Sequence, residues 1–218
     1  MQFPTLRSLS ENGPESYGWG IVADGNCVDS DVSQSLRATR SELLTHRARP
    51  AAFLDRDGVL NVDRTYTHKL DDLVMIPSAP AAVRLLNEVG YYVFVVTNQS
   101  GVARGYYPET AVDRFNMNMQ DILMSEGAHI DAFYYCPHHP DGKVKELAIQ
   151  CRCRKPRPGM LEQAAREWPI DLSRSFLIGD KDHDLAAAAA FHIHGVKFDA
   201  QAGSLVDLVR RELALRSA

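Results

Sequence analysis

The sequence predicts an α/β protein with a central parallel sheet and helices on both faces. Three observations carry this expectation. From residue 51 onward, short apolar runs alternate with longer segments of helical character, the rhythm of a parallel sheet with crossover helices. Each polar motif of note falls just after one of those runs, where ligands gather in open α/β sheets. The length of 218 residues, with 45% hydrophobic and 24% charged side chains, suits one soluble domain with a sizeable core.

The first strand is the run Ala51-Ala52-Phe53-Leu54, which ends abruptly at Asp55-Arg56-Asp57-Gly58. A polar loop from Asp63 to Asp72 leads to a helix from Ala79 to Val89, with Gly90 as its C′ residue. Tyr91 to Val96, rich in β-branched and aromatic residues, is the strongest strand signal. A second helix runs from about Pro108, placed at N1, to Ser125. Ala132 to Tyr135 forms a third strand that enters a Cys/His-rich loop directly. Then come a helix from Gly159 to Glu167, a strand from Ser175 to Ile178, and an alanine-rich helix capped by Asp182. Ile193 to Phe198 is the fifth strand and Leu205 to Leu215 the closing helix. Residues 1–49 read as an extension, packed on the domain or loosely attached, with an apolar knot at Tyr17 to Val22 and a helix from Ser33 to His46. Residues 50–218 form the domain proper.

A net charge of −4 provides no basic field for nucleic acid. No apolar run reaches the roughly 18–20 residues that cross a bilayer, and the N-terminal residues lack a basic stretch followed by an apolar one, so no signal peptide is expected. A cytoplasmic monomer is expected, with no membrane or nucleic-acid partner.

Asp55 and Asp57 can divide the work of cleaving a phosphate ester: one carboxylate attacks phosphorus and the other shuttles the proton. Asp180, preceded by Gly179, offers a third oxygen ligand from another strand end, and together these acids suit Mg²⁺. Taken alone, Asp180 reads as a helix cap beside Asp182, and Asp184 either supports the metal ligands as a weaker candidate or simply faces solvent. Thr97-Asn98-Gln99-Ser100-Gly101 can cradle phosphate oxygens or be a loop of Asx turns. Lys155 can neutralise charge on a transferring phosphoryl group. Cys136 and His138, with Cys151 and Cys153, present four soft ligands for structural Zn²⁺, His139 competing with His138 for the fourth place. With no position left for water, that metal pins a loop and positions Arg154 and Lys155 behind it.

These motifs together resemble the haloacid dehalogenase (HAD) superfamily of phosphotransferases. They are most similar to its branch of heptose-bisphosphate and histidinol-phosphate phosphatases. The resemblance rests on Phe53 to Asn61, Val96 to Gly105, Tyr134 to Pro140, Cys151 to Met160 and Ile178 to Lys181, and spans roughly residues 50–200. It implies a Rossmann-like HAD fold without a large cap domain. It also implies that Asp55 forms an aspartyl-phosphate, Asp57 is the general acid/base, and Thr97 and Lys155 steady the phosphoryl group. Asp55, the backbone carbonyl of Asp57 and Asp180 would hold Mg²⁺. Zn²⁺ would sit on Cys136, His138, Cys151 and Cys153 in a loop over residues 136–153. Asp63, Arg64, Thr65, Tyr66, Asn98, Gln99, Ser100, Arg154 and Lys181 would form the substrate rim. The implied activity removes the C7 phosphate of a heptose 1,7-bisphosphate on the way to a bacterial surface polysaccharide. Histidinol phosphate is the alternative substrate, and a zinc-stabilised binding module the alternative outside enzymes. The Asp182-His183 pair after Lys181 has no counterpart in this expectation.

Overall fold

The computed structural model describes residues 48–216. The expected extension, its Ser33 to His46 helix and the Tyr17 to Val22 knot lie outside the described residues, apart from Ala48 and Arg49 at the extension's end.

Strands β1 (Ala51–Leu54), β2 (Tyr92–Asn98), β3 (Ala132–Cys136), β4 (Phe176–Gly179) and β5 (His194–Lys197) form one sheet in the order β3-β2-β1-β4-β5. All four pairings are parallel. The connecting helices are α1 (Ala79–Glu88), α2 (Glu109–Ser125), α3 (Gly159–Glu167) and α4 (Asp182–Ala190), and α5 (Leu205–Arg216) closes the chain.

The apolar runs explain the layering. Ala52, Leu54, Val93, Val95, Phe176 and Ile178 pack against α1, α2 and α5 on one face. Ala51, Phe53, Phe94, Val96 and Leu177 pack against α3 and α4 on the other. Successive strand residues point to opposite faces, and both faces are dry, so the central strands can carry almost no polar residue. Deleting a ring such as Phe53 or Phe94 from this core would cost about 3–5 kcal/mol.

The chain walks outward from β1 through β2 to β3, then crosses back to β4. β1 and β4 are therefore neighbours from which the connections depart in opposite directions, and the crevice beyond their carboxyl ends is the binding position of such sheets. No inserted cap domain separates the elements among the described residues.

Two helix starts differ from expectation. Pro108 is the N-cap of α2 rather than N1, with extended backbone at φ −78°, ψ 164°. Lys181, not Asp182, caps α4; its N–H is taken by the Asp184 carboxylate at 3.1 Å, while Asp182 pairs with Lys197 at the surface. An acid at N3 satisfies a free amide of the first turn as well as one at N-cap does.

Candidate active site

Asp55 is the first residue beyond β1. Its N–H continues the ladder to Ile178 O at 2.9 Å, so the sheet itself fixes its backbone. The carboxylate is 5% exposed and accepts from Arg56 N at 2.8 Å and Lys155 Nζ at 2.9 Å. Burial pushes the carboxyl up to about 7; Lys155 opposes the rise, and Asp184 and Asp57 add to it.

Lys155 is fully withdrawn from solvent at its side chain. Its ammonium touches Asp55, Asp184 Oδ1 at 2.5 Å and Val96 O at 2.7 Å. Burial alone would favour the neutral amine, but the Asp55 and Asp184 carboxylates outweigh it and raise the lysine. Asn98 pins the lysine backbone reciprocally: Asn98 Nδ2 donates to Lys155 O (3.1 Å) and Lys155 N to Asn98 Oδ1 (3.0 Å). The end of β2 thus locks the loop that carries the cation. Of the two readings of Asp184, the structure favours support of the site over solvent exposure; it is 0% exposed, seated over Gly179, where any Cβ would collide with its carboxylate.

Asp57 points the other way. Oδ2 accepts from Arg56 Nη2 (3.0 Å) and Nε (3.2 Å) and from Gln99 Nε2 (3.0 Å), and Oδ1 from Asn61 Nδ2 (3.0 Å). Arg56 is itself buried, its guanidinium 4.4 Å above the Phe115 ring and bonded to Asn116 and Thr67 O.

Asp180, just past β4, lies against the loop after Asp57. A Cβ on Gly58 would stand 2.5 Å from Asp180 Oδ2, and Gly58 holds φ +91°, a conformation natural only to glycine. Asp180 Oδ1 is buried without a hydrogen-bond partner. An orphaned carboxylate oxygen facing the charges of Asp184 and Asp63 is short of positive charge, and such an oxygen suits a hard divalent cation. His183 is drawn in as well, its ring lying within 4.8 Å of the Asp55 and Asp184 carboxylate oxygens.

Around the mouth, Lys181 Nζ reaches Asp63 Oδ2 at 2.9 Å; the ammonium outweighs the burial of Asp63 and lowers its pKa. Asp63 Oδ1 accepts from Thr65 N, and Arg64 N donates to Thr67 Oγ1. Thr65 and Tyr66 both hold φ 58°, strained for a β-branched and an aromatic residue. Tyr66 meets Tyr106 edge-on at 4.9 Å. Ser100 is half-buried nearby in sequence, while Gln99 turns inward and is 2% exposed. Arg154 Nη1 is buried without a partner, as is Arg104 Nε; Arg104 also contacts His139 Nε2 at 3.2 Å.

Cys136, His138, Cys151 and Cys153 converge so that their donor atoms lie within 4.8 Å of one another. The sulfurs are 3.2–3.4 Å apart, too far for a disulfide, and His138 Nδ1 is 3.3 Å from Cys153 Sγ. Three thiols and an imidazole at this spacing can hold a metal such as zinc. The competition for the fourth place is resolved: His139 Nδ1 instead accepts from Asp141 N.

Residues 152–198 match the HAD-hydrolase-like family. The D-glycero-beta-D-manno-heptose-1,7-bisphosphate 7-phosphatase of Rhodopseudomonas palustris is 47% identical over 70% of this chain and 85% of its own length. The chain belongs to the HAD-like heptose-bisphosphate phosphatase family. Among solved structures, an HAD-like phosphatase from Mesorhizobium loti is 34% identical with a TM-score of 0.69, covering 78% of this chain and 88% of its own. The D,D-heptose 1,7-bisphosphate phosphatase of B. bronchiseptica, solved with magnesium and phosphate, is 28% identical with a TM-score of 0.63, covering 76% and 99%.

Within this member of the family, sequence reasoning passed over Arg56, Asn61, Tyr107, Arg104 and His183. Arg56 carried a faint signal, since a cation placed between two acids has immediate partners. His183 carried one too, sitting three residues past Asp180 on the first turn of a helix. Nothing in the sequence marked Tyr107.

Proposed function

We propose that the chain is a Mg²⁺-dependent phosphatase that removes the C7 phosphate of D-glycero-β-D-manno-heptose 1,7-bisphosphate. The observation that carries this reading is the buried Lys155 ammonium between Asp55 and Asp184 at the end of β1. A carboxylate positioned there, beside a fixed cation and an oxygen-lined crevice, is built to receive a phosphoryl group.

The Asp55 carboxylate attacks phosphorus and forms an aspartyl-phosphate as the bond to the sugar oxygen breaks, and Asp57 gives its proton to that oxygen. Water then attacks the phosphoryl group while Asp57 takes its proton, so phosphate leaves and Asp55 is restored. Lys155 and Thr97 steady the phosphoryl oxygens. Asp55, the Asp57 carbonyl and Asp180 would hold Mg²⁺, which when bound offsets the charge of the acids and the phosphate. Cys136, His138, Cys151 and Cys153 would hold Zn²⁺ in a structural role. Asp63, Arg64, Thr65, Tyr66, Asn98, Ser100, Arg154 and Lys181 form the sugar-facing rim.

A bisphosphate is supported by the buried, unpartnered guanidinium nitrogens of Arg154 and Arg104. Guanidinium N–H groups left unpaired in a dry site are costly, and a second phosphate supplies their acceptors. The β-anomer and the sugar come from the names of the relatives. The test is phosphate release from heptose bisphosphates, histidinol phosphate and simple sugar phosphates, by wild type and Arg154→Ala. A preference for the bisphosphate that Arg154→Ala erases supports the reading. Faster turnover of histidinol phosphate, or equal losses on mono- and bisphosphates, would overturn it.

A further inference from the structure

Tyr107 takes no part in the reaction above, yet it is 6% exposed and one residue removed from the site. Its O–H donates to Gln99 Oε1 at 3.0 Å. The Gln99 amide spends its two N–H groups on Asp57 Oδ2 (3.0 Å) and Thr97 Oγ1 (2.9 Å). We infer that Tyr107 is a positioning residue that locks the Gln99 amide and thereby aims the Asp57 carboxyl at the leaving oxygen.

The argument turns on the two ends of a carboxamide, which are alike in shape and opposite in hydrogen bonding. While Asp57 is ionised it accepts only, so the amide presents N–H to it. Once Asp57 carries the proton meant for the sugar oxygen, that preference disappears. A free amide could then turn, offer its carbonyl, and hold the proton away from substrate. Tyr107 opposes the turn. Its proton is committed to Gln99 Oε1, so the carbonyl end of the amide stays on the tyrosine side. Burial pushes the phenol up to about 12, so the donor persists throughout the working pH range. The ring is seated on Gly101, where any side chain would collide with it, and stacks on His68 at 4.2 Å and 16°. Asp57 retains Arg56 and Asn61 as donors when Tyr107 loses its hydroxyl, so the fold persists and only the aim is altered.

This inference rests on the reading of Asp57 as proton donor, and its test uses leaving groups of different basicity. A sugar alkoxide needs a proton to depart; 2,4-dinitrophenolate does not. kcat/KM reports the steps up to cleavage of the ester. Tyr107→Phe should lower kcat/KM for the heptose bisphosphate roughly 30-fold, a fraction of the 10²–10⁴ that general acid catalysis contributes, and change it less than about 3-fold for 2,4-dinitrophenyl phosphate. Gln99→Met should show the same selectivity, and adding Tyr107→Phe to it should cost nothing further. Thermal unfolding of the single variants verifies the fold. Equal losses on both esters, no loss on either, or additive losses in the double variant would overturn the inference. Should another sugar phosphate prove the substrate, wild type alone reveals it in the panel above, and the Tyr107 comparison is made on that alkyl ester.

Discussion

Lys155 Nζ stands 2.9 Å from Asp55 Oδ1, and both side chains are withdrawn from solvent. The same ammonium serves Asp184, so one cation holds two buried carboxylates. Lys155→Met leaves both acids uncompensated. Breaking a buried pair in this way costs on the order of 3–5 kcal/mol, measurable by denaturant unfolding of the metal-free protein. Phosphate release should fall at least ~10²-fold, the scale of losing one preorganised charge donor. Near-normal stability in Lys155→Met would contradict the shared pairing.

Magnesium affinity should depend on pH. Burial raises the Asp55 carboxyl to about 7 in the metal-free protein, and a cation takes only the ionised form. Below that value a proton must leave as the metal enters, so the Kd should weaken up to tenfold per pH unit on acidification. Above it the Kd should level off. Calorimetric titrations between pH 5.5 and 8.5 test this, and a flat profile across pH 7 counts against it.

Gly58→Ala tests the crevice floor. The added methyl would stand 2.5 Å from Asp180 Oδ2 on a backbone at φ +91°. Both the collision and the dihedral act against it, with an expected loss of about 1–3 kcal/mol. Magnesium affinity should fall at least tenfold as Asp180 is displaced. Unchanged binding would mean that Asp180 is not a ligand.

The Cys/His cluster predicts about one zinc per chain by elemental analysis. Cys153→Ser should lower that content sharply and reduce activity on the bisphosphate, because Arg154 and Lys155 follow Cys153 directly. Far-UV dichroism should change little, since Cys153 only packs against the edge of the core that the strands and helices form. Full activity in a zinc-free variant would rule out the positioning role of the metal.

The sheet was legible because its strands are apolar runs set between helical segments. Their ends were less so: β2 extends to Asn98 because Cys136 pairs with it, a register no local pattern encodes. Asp184 stayed open between a supporting role and solvent because the exposure of a side chain on a helix's first turn depends on its neighbour across the fold, here Gly179. Arg56 was passed over because a charge in mid-loop ordinarily faces water. It is buried by Phe115, Asn116 and Thr67, which only the tertiary structure brings to it. The choice between His138 and His139 likewise needed three dimensions.

The order β3-β2-β1-β4-β5 places at the centre a strand whose two neighbours are made at very different times during synthesis. β1 can pair with β2 early, but Ala51 N–H waits for the Ser175 hydroxyl, 124 residues further on. Contacts so distant form late and only after a large loop has closed. A nascent chain still lacking β4 therefore carries Asp55, the proposed nucleophile, without Asp180 or Asp184. On the proposed mechanism, phosphate release waits until the segment carrying Asp180 and Asp184 has been made, and a product truncated before β4 should be inert rather than half-active.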